Sequence, residues 1–319
     1  MIRHVDIKLS YACNNCCVHC VVADQRDGAL AHRGRDWRSS SEVAAELVDA
    51  AARGFTLVTF TGGEPTMRKD LPALVDAARA LGLAVGLQTN GRLLSVASLR
   101  ERLVGKGLRF VVAVHGPDAA IHDAVTRVPG SFDQVLDGLR ALFAAGEKVT
   151  IKTVMSRRNV PHLPALADRL STEGARRFNL TFPHALGNAR REFEAVVPRY
   201  GEAMPFVHAA LDLLESRNCA AVTEAIPPCL LGSRAAQASE ATYSAGFRSE
   251  VRQLDQDARD WTRDRTVEGK VFPDECAGCT LQPDCEGVWR EYVDAYGGAE
   301  LRPRRNPGHG QAGPNARCP

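Results

Sequence analysis

Apolar and polar positions along this chain follow two periods, and the switch from one to the other recurs about every thirty residues. His4-Val-Asp-Ile-Lys-Leu-Ser10 alternates as a short strand ending at Ser10. Residues 24–39 are polar and rich in Arg and Asp, and read as a loop. Ser41 is placed to cap a helix running to about Arg53, with Val43, Ala44, Leu47, Val48 and Ala51 at helical spacing. Phe55 to Phe60 reads as a buried strand, Leu71 to Leu81 as a helix and Ala84 to Gln88 as a strand. A helix over 95–104, a strand over Leu108 to Val114 and a helix over 132–145 follow. Lys148 to Val154 is then a strand, Pro161 to Ser171 a helix, Arg177 to Phe182 a strand, and Pro198 to Arg217 a sixth helix.

Six βα units in succession place the chain in the α/β class, with parallel strands joined by right-handed crossovers. An incomplete (βα)6 barrel of the TIM type is the natural reading. The periodicity also fits an open doubly wound sheet or a full eight-stranded barrel. Past residue 218 the pattern breaks into weak strand signals that contain Cys219, Cys229, Cys276, Cys279 and Cys285. The stretch 303–319 is rich in Pro, Gly, Arg and Asn and reads as a disordered tail. The expected organisation is a barrel over 1–217, a cysteine-rich extension over 218–302 and that tail.

The 319 residues suit one barrel-sized domain with an appendage, and 45% hydrophobic content supports a full core. There is no apolar run of membrane-spanning length and no secretory signal pattern, so a soluble cytoplasmic protein is expected. A net charge of +2 makes no case for nucleic acid or a membrane as partner. Ten cysteines in such a chain point to metal or redox chemistry rather than disulfides.

The most informative stretch is Cys13-Asn-Asn-Cys-Cys-Val-His-Cys20. Read as Cys13-x3-Cys17-x2-Cys20, it puts three thiolates in one tight loop after the first strand. Three thiolates hold three irons of a 4Fe-4S cube and leave the fourth open to a small molecule. The alternative is a zinc site that recruits Cys16, for which the adjacent Cys16-Cys17 pair is awkward. Outside the cluster pattern, Cys16 reads as a small packing residue.

This loop resembles that of the radical S-adenosylmethionine (radical SAM) superfamily, whose members carry the same spacing after the first barrel strand. They have an aromatic residue or His before the third Cys, here His19. The resemblance implies that the methionine end of SAM chelates the open iron and that SAM is cleaved reductively. A 5'-deoxyadenosyl radical then takes hydrogen from the substrate. Thr61-Gly-Gly-Glu-Pro65, at the end of the second strand, matches the family's GGEP motif. Paired glycines permit close approach of backbone to a ligand. The resemblance assigns contact with the SAM amino group to Gly62, Gly63 and Glu64, with Pro65 stiffening the turn. Thr89 and Asn90 in Gln88-Thr-Asn-Gly91 resemble a family turn near SAM, and an Asn-Gly turn is the plain alternative. Arg127, after His122-Asp123, is implied as the partner of the SAM carboxylate. His115 ends the fourth strand, and His115 and His184 are candidate polar groups near cofactor and substrate. Thr153, Phe182 and His184, at the ends of strands five and six, are expected to face the mouth. His184-Ala-Leu-Gly-Asn-Ala189 resembles a further family loop.

Cys276-x2-Cys279-x5-Cys285, followed by Trp289 and Tyr292, resembles the SPASM or Twitch extensions that bind auxiliary 4Fe-4S clusters. With Cys229 as a fourth thiolate it supplies one auxiliary cluster, leaving Cys16, Cys219 and Cys318 over. A four-cysteine zinc site is the alternative. The resemblance implies a radical SAM oxidoreductase or maturase that takes its electron from an external donor such as flavodoxin or ferredoxin. Modification of a ribosomally made peptide comes first among substrates. Biosynthesis of a haem-type or peptide-derived cofactor, or of a small metabolite, comes second. Because this sequence begins almost at the first strand, peptide recognition is expected to come from a separate protein. A non-catalytic iron–sulfur or zinc protein is the reading from a different class.

Overall fold

The computed structural model describes residues 3–32, 37–240, 247–254 and 258–305. Its main sheet has nine strands: β1 (Arg3–Lys8), β2 (Leu57–Thr61), β3 (Ala84–Thr89), β4 (Arg109–Ala113), β5 (Lys148–Val154), β6 (Arg177–Thr181), β7 (Ala220–Glu224), β8 (Arg248–Arg252) and β9 (Arg259–Asp260). The order is β7-β6-β5-β4-β3-β2-β1-β8-β9. All pairings are parallel except β8–β9. The six strands read from the sequence are all present, in chain order, as an α/β partial barrel with a cysteine-rich region after it. Residues past 218 add strands at both edges: β7 beside β6 and β8 beside β1. Their signal is weak in the sequence because β7 (AAVTE) and β8 (RSEVR) each carry a single Val, the rest being Ala or polar, and draw their pairing from the neighbouring strand.

Alternation decides which side of the sheet each residue serves. Val5, Ile7, Phe60, Phe110, Ile151 and Phe178 are buried against the surrounding helices, each worth roughly 1.5–3 kcal/mol of apolar burial. The opposite, concave face carries Asp6, Lys8, Lys152, Asn179, Thr181 and Glu224, all partly accessible.

The helix Ser40–Ala52 is capped by Ser39 and not by Ser41. Ser39 Oγ accepts the Glu42 N–H at 3.2 Å and Glu42 Oε2 accepts the Ser39 N–H at 2.7 Å. Such a box contributes about 1 kcal/mol. The expected loop over 24–39 is in large part a helix, Ala23–His32. It has no apolar stripe to betray it. Its anchorage is ionic: Arg191 meets Asp24 at 2.7 Å and Asp27 at 2.6 Å. The expected helix over 95–104 is reduced to a turn, Arg92–Ser95, and a short helix, Ala97–Arg100. A helix not foreseen, Ala119–Thr126, starts at Asp118, whose side chain accepts the Ile121 N–H at 3.0 Å. The expected disordered tail and Cys318 lie outside the described residues except for 303–305, where the Arg304 carbonyl accepts the Thr280 N–H at 2.8 Å.

No described helix is long and apolar enough to cross a membrane.

Candidate functional site

Parallel strands in register bring their C-terminal loops together. Lys8 stands opposite Thr61, and Leu87 opposite Phe60, so the cysteine loop after β1 meets the Gly-Gly turn after β2 and the Thr-Asn turn after β3. The Gly63 N–H donates to the Ser10 carbonyl at 2.7 Å and the Glu64 N–H to the Ala12 carbonyl at 2.8 Å. A Cβ on Gly62 would stand 2.1 Å from the Ser10 oxygen, and one on Gly63 would stand 2.0 Å from the Ala12 oxygen. The close approach that these glycines permit is therefore to the backbone of the cysteine loop itself.

Glu64 is buried, and both its carboxylate oxygens accept hydrogen bonds. It accepts from the Thr66 N–H at 2.9 Å, Thr89 Oγ1 at 2.6 Å and the Asn90 N–H at 2.6 Å. Burial pushes its pKa up while these hydrogen bonds oppose the rise. The side chain expected to meet a ligand ammonium locks the β2 and β3 turns together. Pro65 opens the short turn Pro65–Met67. Asn90 Nδ2 donates to Asn14 Oδ1 at 2.6 Å and lies 3.8 Å from the Cys13 sulfur.

Two further elements grip the loop from the other side. The Cys16 and Val18 N–H groups donate to the Thr126 and Val125 carbonyls at 3.0 and 2.9 Å. Asn188 Nδ2 donates to the Cys17 carbonyl at 2.9 Å, and the Asn188 N–H to the Cys20 carbonyl at 3.0 Å. Asn188 is a positioning residue missed among the site candidates, although its loop had been singled out. Gly187, at φ 56°, passes so close that a Cβ would lie 2.3 Å from the Cys20 oxygen.

The donors fit a metal cluster. Cys13, Cys17 and Cys20 are free thiols, and burial pushes the Cys13 thiol up to about 11 and Cys17 higher still. Thiols so placed become thiolates only when a cation replaces their protons. The Asn15 N–H points at the Cys13 sulfur from 3.4 Å, as a donor to a thiolate does. Beside them the buried ring nitrogens His19 Nδ1, His115 Nδ1 and His122 Nε2 have no protein partner. Each costs ~1–3 kcal/mol if left so, which marks the pocket as built for a bound polar group.

The structure does not bring the remaining candidates to this site in the expected way. Arg127 sits at φ 59° with its guanidinium on Glu192 at 2.5 Å, half exposed. That pair ties the Ala119–Thr126 helix to the chain after β6. Thr153 falls on the helix-facing side of β5, buried, with its hydroxyl on the Val114 carbonyl at 2.8 Å. Alternation puts its neighbour Lys152 on the concave face instead. Phe182 is a packing residue, stacked on Tyr200 at 4.3 Å and edge-on to Tyr292 at 5.7 Å. His184 stacks on Trp289 at 3.7 Å, with Nε2 3.6 Å from Glu291. Both residues join the barrel to the cysteine-rich region rather than lining an open mouth.

That junction also holds a buried ionic network that the sequence reading missed. Arg265 reaches Glu224 at 3.2 Å, Glu240 at 3.0 Å and Glu286 at 2.6 Å, while Lys270 reaches Glu240 at 3.1 Å and Glu286 at 2.7 Å. Glu224 also meets Lys152 across the concave face at 2.8 Å. The polar alternation of Thr150 and Lys152 with Val149 and Ile151 was the available signal. Burial would raise the Glu224 pKa, but the charges of Lys152 and Arg265 and hydrogen bonds from Lys152 and Asn179 outweigh it and hold the carboxyl far below its usual range. A depressed carboxyl stabilises the fold above its unfolded value of about 4.3 and loses that contribution as pH falls below it. Glu224→Gln is expected to lose ~3–5 kcal/mol at pH 7 by leaving the buried cations under-compensated. The gap to the wild type should narrow by about 1.4 kcal/mol per pH unit below pH ~4, read from denaturant melts at pH 7, 4 and 3.

Cys229, Cys276, Cys279 and Cys285 line one cavity whose other walls include Pro227, Phe272, Val288 and Leu301. All four are free thiols. Burial and the neighbouring sulfurs push Cys276 up to about 11, and burial does the same to Cys285. The Gly287 N–H donates to the Cys285 sulfur at 3.3 Å. Four sulfurs around one largely apolar cavity suit a cluster or a tetrahedral metal. Cys219 lies elsewhere, buried with its sulfur 3.5 Å from the Ala175 carbonyl, and Cys16 is exposed.

Curated proteins similar to this chain include Fe-coproporphyrin III synthase of Methanosarcina barkeri, 34% identical over 161 residues (50% of this chain and 39% of that protein). Mycofactocin maturase MftC of Mycobacterium tuberculosis is 34% identical over 172 residues (53% and 41%). PqqA peptide cyclase of Xanthomonas oryzae pv. oryzae is 29% identical over 211 residues (64% and 53%). The matched stretch thus spans about half or less of these relatives' own length. Among solved structures, Streptococcus suis SuiB bound to S-adenosylmethionine superposes with a TM-score of 0.65 at 17% identity, over 95% of this chain and 76% of that one. The anSMEcpe structure with bound AdoMet and Cp18Cys peptide gives 0.66 at 14% identity, over 96% and 93%. These likenesses are of fold and run through the C-terminal cysteine region. The Radical SAM superfamily profile matches residues 7–180, from within β1 to within β6, and with the cysteine loop and Gly-Gly turn joined at the strand ends, the chain belongs to that superfamily.

Proposed function

We propose that this chain cleaves S-adenosylmethionine reductively and modifies a ribosomally made peptide, with a second, auxiliary 4Fe-4S cluster in its C-terminal region. The observation that carries the reading is the start of the Cys13-Cys17-Cys20 loop, Ser10 and Ala12, held against Gly63 and Glu64 by backbone hydrogen bonds. Cys13, Cys17 and Cys20 would hold three irons, and the Gly62-Gly63 backbone would meet the amino group of SAM. When bound, the cluster and SAM supply an electron and a 5'-deoxyadenosyl radical that takes hydrogen from the substrate. Glu64 and Asn90 keep the surrounding turns in place, and the three buried histidines close the pocket on one side. The concave face, with Lys152, Asn179, Thr181 and Glu224, offers the hydrogen-bonding groups that a peptide amide or polar side chain needs. The electron would come from an external flavodoxin or ferredoxin. A separate protein would deliver the peptide.

The test is anaerobic reconstitution with SAM, dithionite and deuterated candidate peptides. Deuterium in 5'-deoxyadenosine identifies the substrate, whereas a loaded cluster that never splits SAM would defeat the reading. The 34% identity to Fe-coproporphyrin III synthase supports a second reading, action on a haem-type macrocycle. Titration with an iron porphyrin separates the two, because the second reading requires a saturable Soret shift.

For the auxiliary cluster, Cys229, Cys276, Cys279 and Cys285 are the ligands proposed. Cys276→Ala is expected to lower iron from about eight to about four atoms per chain. SAM cleavage without substrate should remain, and product formation should fall at least tenfold. Retention of all the iron would remove Cys276 from the ligand set, and zinc in place of iron would make the site structural.

A further inference from the structure

His115 lies two residues past the end of β4, with its side chain almost fully buried, 2% exposed. Its ring meets His19 edge-on at 4.6 Å and stacks on His122 at 5.8 Å, and His122 in turn lies against Phe132. A ring nitrogen of His115, one of His19 and the Cys17 sulfur all lie within 4.8 Å of one another. The orientation of the row is fixed at its far end. The His115 backbone N–H donates to His122 Nδ1 at 3.1 Å, so that nitrogen carries a lone pair. His115 Nδ1 is buried with no protein partner. A neutral imidazole still carries one N–H, and the Cys17 sulfur, within 4.8 Å of a His115 ring nitrogen, is able to accept it once that sulfur is a metal-bound thiolate.

We propose that His115 is a positioning residue that donates a ring N–H hydrogen bond to the Cys17 thiolate and thereby raises the reduction potential of the first cluster. The inference rests on the cluster reading given above. A donor to a cluster sulfur favours the state with more negative charge, so the reduced cluster gains more from it than the oxidised one. Such a donor makes the cluster easier for an external carrier to reduce.

The experiment uses the full chain, reconstituted anaerobically, with EPR-monitored redox titration of the first cluster. His115→Phe keeps the ring packing and removes both ring nitrogens. His115→Asn returns a donor near the Nδ1 position. We expect His115→Phe to load iron normally and to shift the midpoint downward by at least a tenfold change in the reduction equilibrium, about 59 mV for one electron. His115→Asn should recover part of that shift. An unchanged midpoint in a fully loaded His115→Phe chain would overturn the proposal while leaving the cluster reading intact. Wild-type protein that binds no iron would overturn both. If His115→Phe loads poorly, pulsed EPR of ¹⁵N-histidine-labelled wild-type enzyme decides the matter. A ¹⁵N coupling that survives His19→Phe is expected, and its absence from the wild type or its loss in His19→Phe counts against His115.

Discussion

Cys17→Ala is expected to abolish SAM cleavage, with 5'-deoxyadenosine formation falling by more than about a hundredfold, beyond what loss of an outer-shell partner costs. Iron should drop from about eight to about four atoms per chain. Cys17 is the middle cysteine of the Cys13-x3-Cys17-x2-Cys20 spacing, and its carbonyl is held by Asn188 at 2.9 Å. The variant leaves two thiolates for a cube that needs three, in a pocket where buried histidine nitrogens already lack partners. Nearby sulfur does not rescue it. Cys16 is exposed, its N–H is tied to the Thr126 carbonyl at 3.0 Å, and it stands outside the three-cysteine spacing. Iron assay and chromatography of SAM products check this, and unchanged iron with unchanged cleavage would end the ligand assignment.

Gly63→Ala is expected to be nearly as damaging, for a steric reason. The added methyl would stand 2.0 Å from the Ala12 oxygen and 2.6 Å from the Tyr11 oxygen, both backbone atoms of the cysteine loop. Relief requires the two loops to part, which breaks the Gly63–Ser10 and Glu64–Ala12 hydrogen bonds. Overpacking and two lost bonds together cost ~2–5 kcal/mol. A displacement of about 1 Å at a reacting centre costs on the order of a hundredfold in rate. The expected result is a lower thermal midpoint, partial cluster loading and SAM cleavage reduced at least a hundredfold. Gly28→Ala is the control: its Cβ would enter open space on the Ala23–His32 helix. That change should stabilise by roughly 0.5–1 kcal/mol.

Local chemistry was written plainly along the chain. Six strands emerged from Val, Ile, Leu and Phe at alternate positions, because burial of one sheet face imposes that period. The three-cysteine loop and the Gly-Gly turn were visible because ligation and close backbone approach demand particular residue types at short spacings. The four sulfurs around one cavity were foreshadowed too, since Cys276, Cys279 and Cys285 are neighbours in sequence.

Direction and partnership were not visible in this way. Thr153 and Lys152 are adjacent, and a one-residue step decides which of them reaches the concave face. Glu64 reads as a ligand contact, and its bonds to Thr66, Thr89 and Asn90 appear only where the β2 and β3 turns meet. Arg127 lies near the pocket in the chain but spends its charge on Glu192, 65 residues away. Arg265, Glu224, Glu240 and Glu286 lie far apart in sequence and meet only where the C-terminal region packs on β7. Period and short-range spacing are properties of a single segment, so the strands, the cysteine loop and the metal-binding chemistry could be read one residue after another. Which face a side chain takes, and which distant charge or carbonyl claims it, depends on register and on contacts between segments, and these exist only once the chain has closed on itself.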